Sequence, residues 1–192
     1  MSDYAVLIPL VTTEEGLSLL FEVRSENVSQ PGEVCFPGGR VEGGETAAQT
    51  AVRETCEELG VRPDQIELIG ELPPEISRNS RNVFPVAARL RIGSTEDLRL
   101  SEEEVAEVFL IPESWLRGNP PARYDLGVLT DDQLPAGLRR FMPNYDRYSR
   151  KYSTDYYEYN GHGIWGLTAR ILTHYLNCGI HTGDQASPRL ES

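Results

Sequence analysis

Between Cys35 and Val61 the chain reads CFPGGRVEGGETAAQTAVRETCEELGV, with five glutamates in one short segment. Three of them, Glu54, Glu57 and Glu58, crowd together near its end. On a helix at about 100° per residue, with Glu54 as origin, Glu58 falls near +40° and Glu57 near −60°. The three carboxylates then share an arc of about 100°, while Ala48, Val52, Thr55, Cys56 and Leu59 lie between about 100° and 200° and form the expected buried stripe. Arg53, one turn before Glu57, is placed to pair with it. A solvated acidic face is the plain alternative. Two features favour a cation: the three carboxylates repel one another, and the glycine turn PGGRVEGGE brings main-chain carbonyls toward them. Carboxylates with a carbonyl and waters suit Mg²⁺ or Mn²⁺.

The elements that must hold this segment are legible around it. YAVLIPLV and SLLFEVR read as strands joined by the turn TTEEG, and VCFPGG as a short strand entering a glycine turn. TAAQTAVRETCEEL is the helix, with Gly60 as its left-handed cap. IELIGEL and VFPVAARLRI are further strands, and the loop PPEISRNSRN between them carries Arg78 and Arg81. EEVAEVFLIP is a strand ending at Pro112, with Glu104 at its start, and ESWLRG is a helical turn. Residues 118–160 are too long for a plain loop and read as an inserted excursion over the surface ending in the strand YYEYNG. IWGLTARILTHYL has the spacing of an amphipathic helix through Ile164, Leu167, Ile171, Leu172 and Leu176. Residues 179–192 read as a flexible polar tail. The order of elements predicts an α/β (α+β) fold, with residues 1–178 as a single domain.

Composition bounds the partners. The chain has 192 residues, 39% hydrophobic, and a formal net charge of −12. That charge argues against nucleic acid and against an anionic membrane surface. It is compatible with a polyphosphate if a divalent cation stands between. Cys35, Cys56 and Cys178 show no paired spacing and read as reduced thiols of a cytoplasmic protein. The N-terminal MSDYAVLIPLV reads as a strand, and no segment is apolar enough to span a membrane.

The glutamate segment resembles the Nudix box: Gly39, Glu45, Arg53-Glu54-Thr55, Glu57-Glu58 and Gly60-Val61 stand at its spacing. The departure is Thr55, where an aliphatic residue is usual. The resemblance implies a Nudix-like α/β/α sandwich with a mixed β-sheet, whose box holds divalent cations and whose substrates are nucleoside diphosphate derivatives. By motif position it implies Glu54, Glu57, Glu58 and the Gly38 carbonyl as metal ligands. Glu45 and Arg53 would orient the ligand carboxylates. The catalytic base would be Glu54 in the box or Glu104 outside it.

The segment before the box resembles the coenzyme A pyrophosphatase branch of that family, through Leu19-Leu20, Arg24-Ser25, Pro31-Gly32-Glu33 and Phe36-Pro37-Gly38-Gly39. GHGIWGLTARIL resembles the C-terminal helix of the branch. A second arginine of the branch is absent near Val28 or Ser29, and the loop is shorter there. The resemblance implies hydrolysis of coenzyme A or acyl-CoA to adenosine 3′,5′-bisphosphate and 4′-phosphopantetheine. Arg24, Arg78 and Arg81 are the phosphate-binding candidates. The missing arginine leaves another diphosphate open: ADP-ribose, a dinucleotide or a damaged nucleotide. A non-catalytic binding module is disfavoured, since every box carboxylate is present. Whether the chain is a homodimer stays open.

Overall fold

The computed structural model describes residues 3–77, 80–126, 133–141 and 152–179. Strands β1 (Tyr4–Thr13) and β2 (Gly16–Arg24) form a hairpin. Two short strands follow, β3 (Val34–Cys35) and β4 (Gly38–Arg40), and then helix α1 (Ala47–Leu59). Next come β5 (Ile66–Glu71), β6 (Glu75–Ile76), β7 (Asn82–Leu90) and β8 (Val105–Pro112). The rest comprises α2 (Glu113–Gly118), β9 (Ala122–Leu126), α3 (Ala136–Arg139), β10 (Tyr152–Tyr159), β11 (His162–Trp165) and α4 (Gly166–Asn177).

The eight-stranded sheet is mixed, in the order β3-β2-β1-β7-β5, with β4 also on β1, β6 on β7 and β8 on β2. β1 lies at its centre, parallel to β7 and antiparallel to β2. Its residues from Leu7 to Val11 are all buried, as a strand covered on both faces requires. β1 pairs with β4 over Tyr4–Val6 and with β2 over Leu10–Thr13. Pro9, which has no N–H to donate, falls between the two ladders. In that gap the Leu7 N–H donates to the Pro37 carbonyl at 2.9 Å, which draws the FPGG turn onto the sheet.

α1 covers one face. It packs Ala51 with Ala5, Leu7 and Val86, and Leu59 with Val11, Leu20 and Leu90. α4 covers the other, where Ile171, Leu172 and Tyr175 join Ile8, Leu10, Leu19 and Phe21. The result is the layered α/β architecture with a mixed sheet that the sequence predicts. The 118–160 excursion contributes two strands of a second sheet, β11-β10-β9, around a cluster of Leu126, Leu134, Leu138, Phe141, Tyr156 and Trp165.

Two readings change in detail. Ile164 and Trp165 belong to β11, and α4 starts only at Gly166, whose φ of 62° is left-handed. The buried face of α1 is turned toward its carboxylates: Thr50, Ala51, Thr55, Glu58 and Leu59 are buried, while Ala48, Val52 and Cys56 are only half-buried. Thr55 does face the core, and its hydroxyl donates to the Ala51 carbonyl at 2.7 Å. The tail from residue 180 onward lies outside the described residues.

Candidate active site

α1 is fixed at both ends. Thr46 and Gln49 form a reciprocal capping box, and Gly60 closes the helix at φ 66°. The turn that carries Glu104 is then tied to the end of α1. The Ser101 N–H donates to the Glu58 carbonyl at 2.9 Å, and the Ser25 N–H to the Glu104 carbonyl at 2.9 Å. Three chain segments distant in sequence thus meet at the C-terminal part of α1.

A cavity of about 580 Å³ opens there. Glu54, Glu58 and Glu104 line it together with Gly38 and Gly39. Arg24, Arg40, Arg81, Arg123 and Arg170 line it as well, as do Val34, Phe36, Trp165 and Leu167. The glycine turn sits directly on the carboxylates: the Gly38 N–H donates to Glu58 Oε2 at 2.8 Å, and a Cβ at Gly39 would collide with the Glu54 carboxylate.

Arg53 is the internal counter-charge. Its Nε donates to Glu45 Oε1 at 2.8 Å, and its Nη1 reaches Glu54 at 2.9 Å and Glu57 at 3.1 Å. Glu45 also accepts from the Thr50 hydroxyl at 2.9 Å. The Arg53 guanidinium, then Thr50, hold the Glu45 carboxyl down at about 2. Part of the repulsion among the clustered glutamates is therefore relieved within the protein.

The remainder is not. Burial, and secondarily the charge of Glu22, pushes the Glu58 carboxyl well above the usual carboxylate range. Burial also raises Glu54, against the opposing effect of Arg53. Glu57 is different: its side chain is 57% exposed on the outer face of α1, away from the cavity wall. Among the described residues, no three acidic, thiol or imidazole side chains converge on one point. The donor set of Glu54, Glu58 and Glu104 is nevertheless all hard oxygen, which fits Mg²⁺ or Mn²⁺.

Of the arginine candidates, Arg24 donates from Nε to the Ser29 carbonyl at 2.7 Å, and Arg81 from Nη1 to the Tyr4 hydroxyl at 2.8 Å. Arg78 lies outside the described residues. Sequence reasoning missed Arg40, Arg123 and Arg170 on the cavity wall. It also missed Glu22, buried on β2, whose visible signal was a carboxylate inside the apolar strand LLFEV. The aromatic residues 156 and 157 of the excursion pack into the protein's cores. His162 stacks on Phe109 with ring centroids 3.9 Å apart, and His174 meets Glu75 at 3.3 Å.

The NUDIX domain family model matches residues 1–129. The chain belongs to the Nudix family. Members of this family generally use divalent metal ions. The chain is similar to the peroxisomal coenzyme A diphosphatase of Mus musculus, 40% identical over 115 residues, covering 58% of this chain and 47% of that protein. It is similar to the mitochondrial coenzyme A diphosphatase of the same organism, 32% identical over 170 residues, covering 87% of this chain and 73% of that one. A solved Ap4A hydrolase from C. elegans, in a binary complex, is similar in fold, with TM-score 0.51 and 21% identity over 60% of this chain and 84% of that one. This Nudix chain spans about half the length of several curated relatives that it matches. Among its described residues no helix is long and apolar enough to cross a membrane.

Proposed function

We propose that this Nudix chain is a divalent-metal-dependent pyrophosphohydrolase acting on the diphosphate of coenzyme A or an acyl-CoA. The observation that carries the reading is that Glu54, Glu58 and Glu104 line the same cavity as five arginines. Glu54, Glu58 and the Gly38 carbonyl would hold Mg²⁺ or Mn²⁺ from the cavity side, with Arg53 and Glu45 orienting them, and Glu57 would join them by turning inward from the outer face of α1. When bound, the cation supplies charge neutralisation of the diphosphate oxygens and acidifies a water. Glu54, on the cavity lining beside Gly39, is the first candidate to accept the water's proton. Glu104 is the second candidate for that proton. Arg24 and Arg81 bring positive charge to the substrate phosphates.

The coenzyme A assignment rests on the segment Leu19–Gly39 and on the two diphosphatase relatives. A second reading, another nucleoside diphosphate derivative, is favoured by one observation: Val28 and Ser29 line the cavity where the branch has an arginine. Incubation with Mg²⁺ and coenzyme A, ADP-ribose, NADH or a diadenosine polyphosphate, with products identified by mass, decides between them. Release of adenosine 3′,5′-bisphosphate faster than turnover of the others is expected. Turnover of another diphosphate with coenzyme A untouched selects the second reading.

Arg53→Lys tests the orienting role. A lysine offers one point charge where Arg53 bridges Glu45, Glu54 and Glu57. Turnover should fall about 10- to 100-fold with the fold retained, measured as kcat beside a melting curve. Unchanged kcat would remove Arg53 from the site. The same reading takes residues 1–178 as one unit, since Tyr157 and Ile164 share a buried cluster with Ile8 and Phe21. A reducing compartment such as the cytoplasm is part of the proposal and is supported by three free cysteines.

A further inference from the structure

Glu22 is 1% exposed on β2, opposite Cys35 on β3 and Val108 on β8. Its Oε1 accepts from the Cys35 thiol at 3.2 Å. Its Oε2 is buried with no hydrogen-bond partner among the described residues. A buried carboxylate oxygen without a partner is costly, and a thiol is a weak donor. A latch between β2 and β3 would be served at lower cost by a neutral glutamine. The carboxylate therefore calls for another explanation.

Its direction supplies one. Side chains alternate along a strand, so Leu20 and Glu22 share a face of β2. Leu20 packs in one cluster with Leu59 of α1, so this face looks toward the C-terminal part of α1. Glu58 immediately precedes Leu59, and its carboxylate is buried there against the Gly38 N–H. Glu104 acts on both Glu22 and Glu58. Arg24, the nearest cation along β2, is held at Nε by the Ser29 carbonyl.

We propose that Glu22 is a further cation-holding residue, whose free Oε2 extends the divalent-metal site from α1 across to β2. The proposal rests on the metal-dependent reading above. It gives the site a carboxylate from inside the sheet, placed behind Glu58 and shielded from solvent.

The test is Mn²⁺ binding to the purified full chain, by calorimetry and by the signal of free Mn²⁺ in electron paramagnetic resonance. Wild type and Glu22→Gln are compared, with melting curves taken in the metal-free state. Glu22→Gln should fold and bind Mn²⁺ at least about 10-fold more weakly. Wild-type affinity and stoichiometry in the folded variant would overturn the proposal. Failure of the wild type to bind Mn²⁺ would instead sink the metal-dependent reading, and this proposal with it. A second readout needs no variant: in wild type labelled with ¹³C at glutamate carboxyls, the Glu22 resonance should move on Mg²⁺ addition. A Glu22 resonance unmoved while those of Glu54 and Glu58 shift would overturn it equally.

Discussion

Glu58→Gln should lower turnover of the best diphosphate substrate by at least about 100-fold and, in the same protein, raise the melting temperature of the metal-free state. The two effects have one cause. Glu58 is 5% exposed, and beyond the Gly38 N–H its surroundings add the negative charges of Glu22, Glu54 and Glu104. An ionised carboxylate there is unfavourable until a cation arrives. Glutamine keeps an oxygen for the Gly38 N–H and removes the charge. The fold gains stability and the site loses a ligand stronger than any outer neighbour, for which about 10- to 100-fold is typical. A variant with both full turnover and an unchanged melting temperature would show that Glu58 is neither strained nor used.

The same carboxyl gives a pH dependence whose sign is fixed. A group with its folded pKa raised above the ordinary 4.5 binds a proton in the folded state that the unfolded chain has already released. Its contribution is complete below about 4.5 and is lost as pH rises toward the raised value. Glu22 and Glu54 are displaced in the same direction, chiefly by burial. Glu45 is displaced the other way, and its contribution disappears only as pH falls below the ordinary range. Metal-free protein should therefore gain stability when moved from pH 8 to pH 5.5. Saturating Mg²⁺ should weaken or reverse that slope, because cation and proton compete for the same oxygens. Glu58→Gln should flatten it without metal.

The sequence carried the helix that bears the carboxylates almost completely, because its signals are local. Thr46 and Gln49 mark the start, Gly60 the end, and the spacing of Glu54 and Glu58 survives folding unchanged. The face that α1 buries was not local information. It depends on β1 handing its ladder from β2 to β4 around Pro9, which seats the FPGG turn over Glu54 and Glu58. The carboxylates are thus pulled inward, and Ala48, Val52 and Cys56 are left half-buried. Glu104 was found through its position at the start of a strand. Its tie to α1 runs through Ser101, a main-chain contact that no side-chain pattern reports. Arg123 comes from β9, in an excursion whose second sheet depends on pairings between residues 122–126 and 152–156. Such distant pairings have no local signature.

The adjacent glycines give the sharpest separation of fold from site. At Gly39 the three atoms nearest to an added Cβ all belong to the Glu54 carboxylate, the far end of a flexible side chain. The backbone there needs no left-handed conformation. Gly39→Ala should therefore cost the fold less than about 1 kcal/mol. It should still lower kcat about 100-fold, since shifting a catalytic group by about 1 Å is enough for that. At Gly38 the φ is 154°, and an added Cβ would strike the Ala5 carbonyl and the Val6 main chain. Neither neighbour can move without breaking the β1–β4 ladder at Val6 and Gly38. Gly38→Ala should therefore destabilise the protein by about 3 kcal/mol, strain and displaced backbone together. Denaturant unfolding of both variants, beside kcat for the best substrate, checks the pair. If Gly39→Ala unfolded as readily as Gly38→Ala, the contact between the glycine turn and Glu54 would be structural. If Gly39→Ala kept full turnover, Glu54 would not need the position in which this turn holds it.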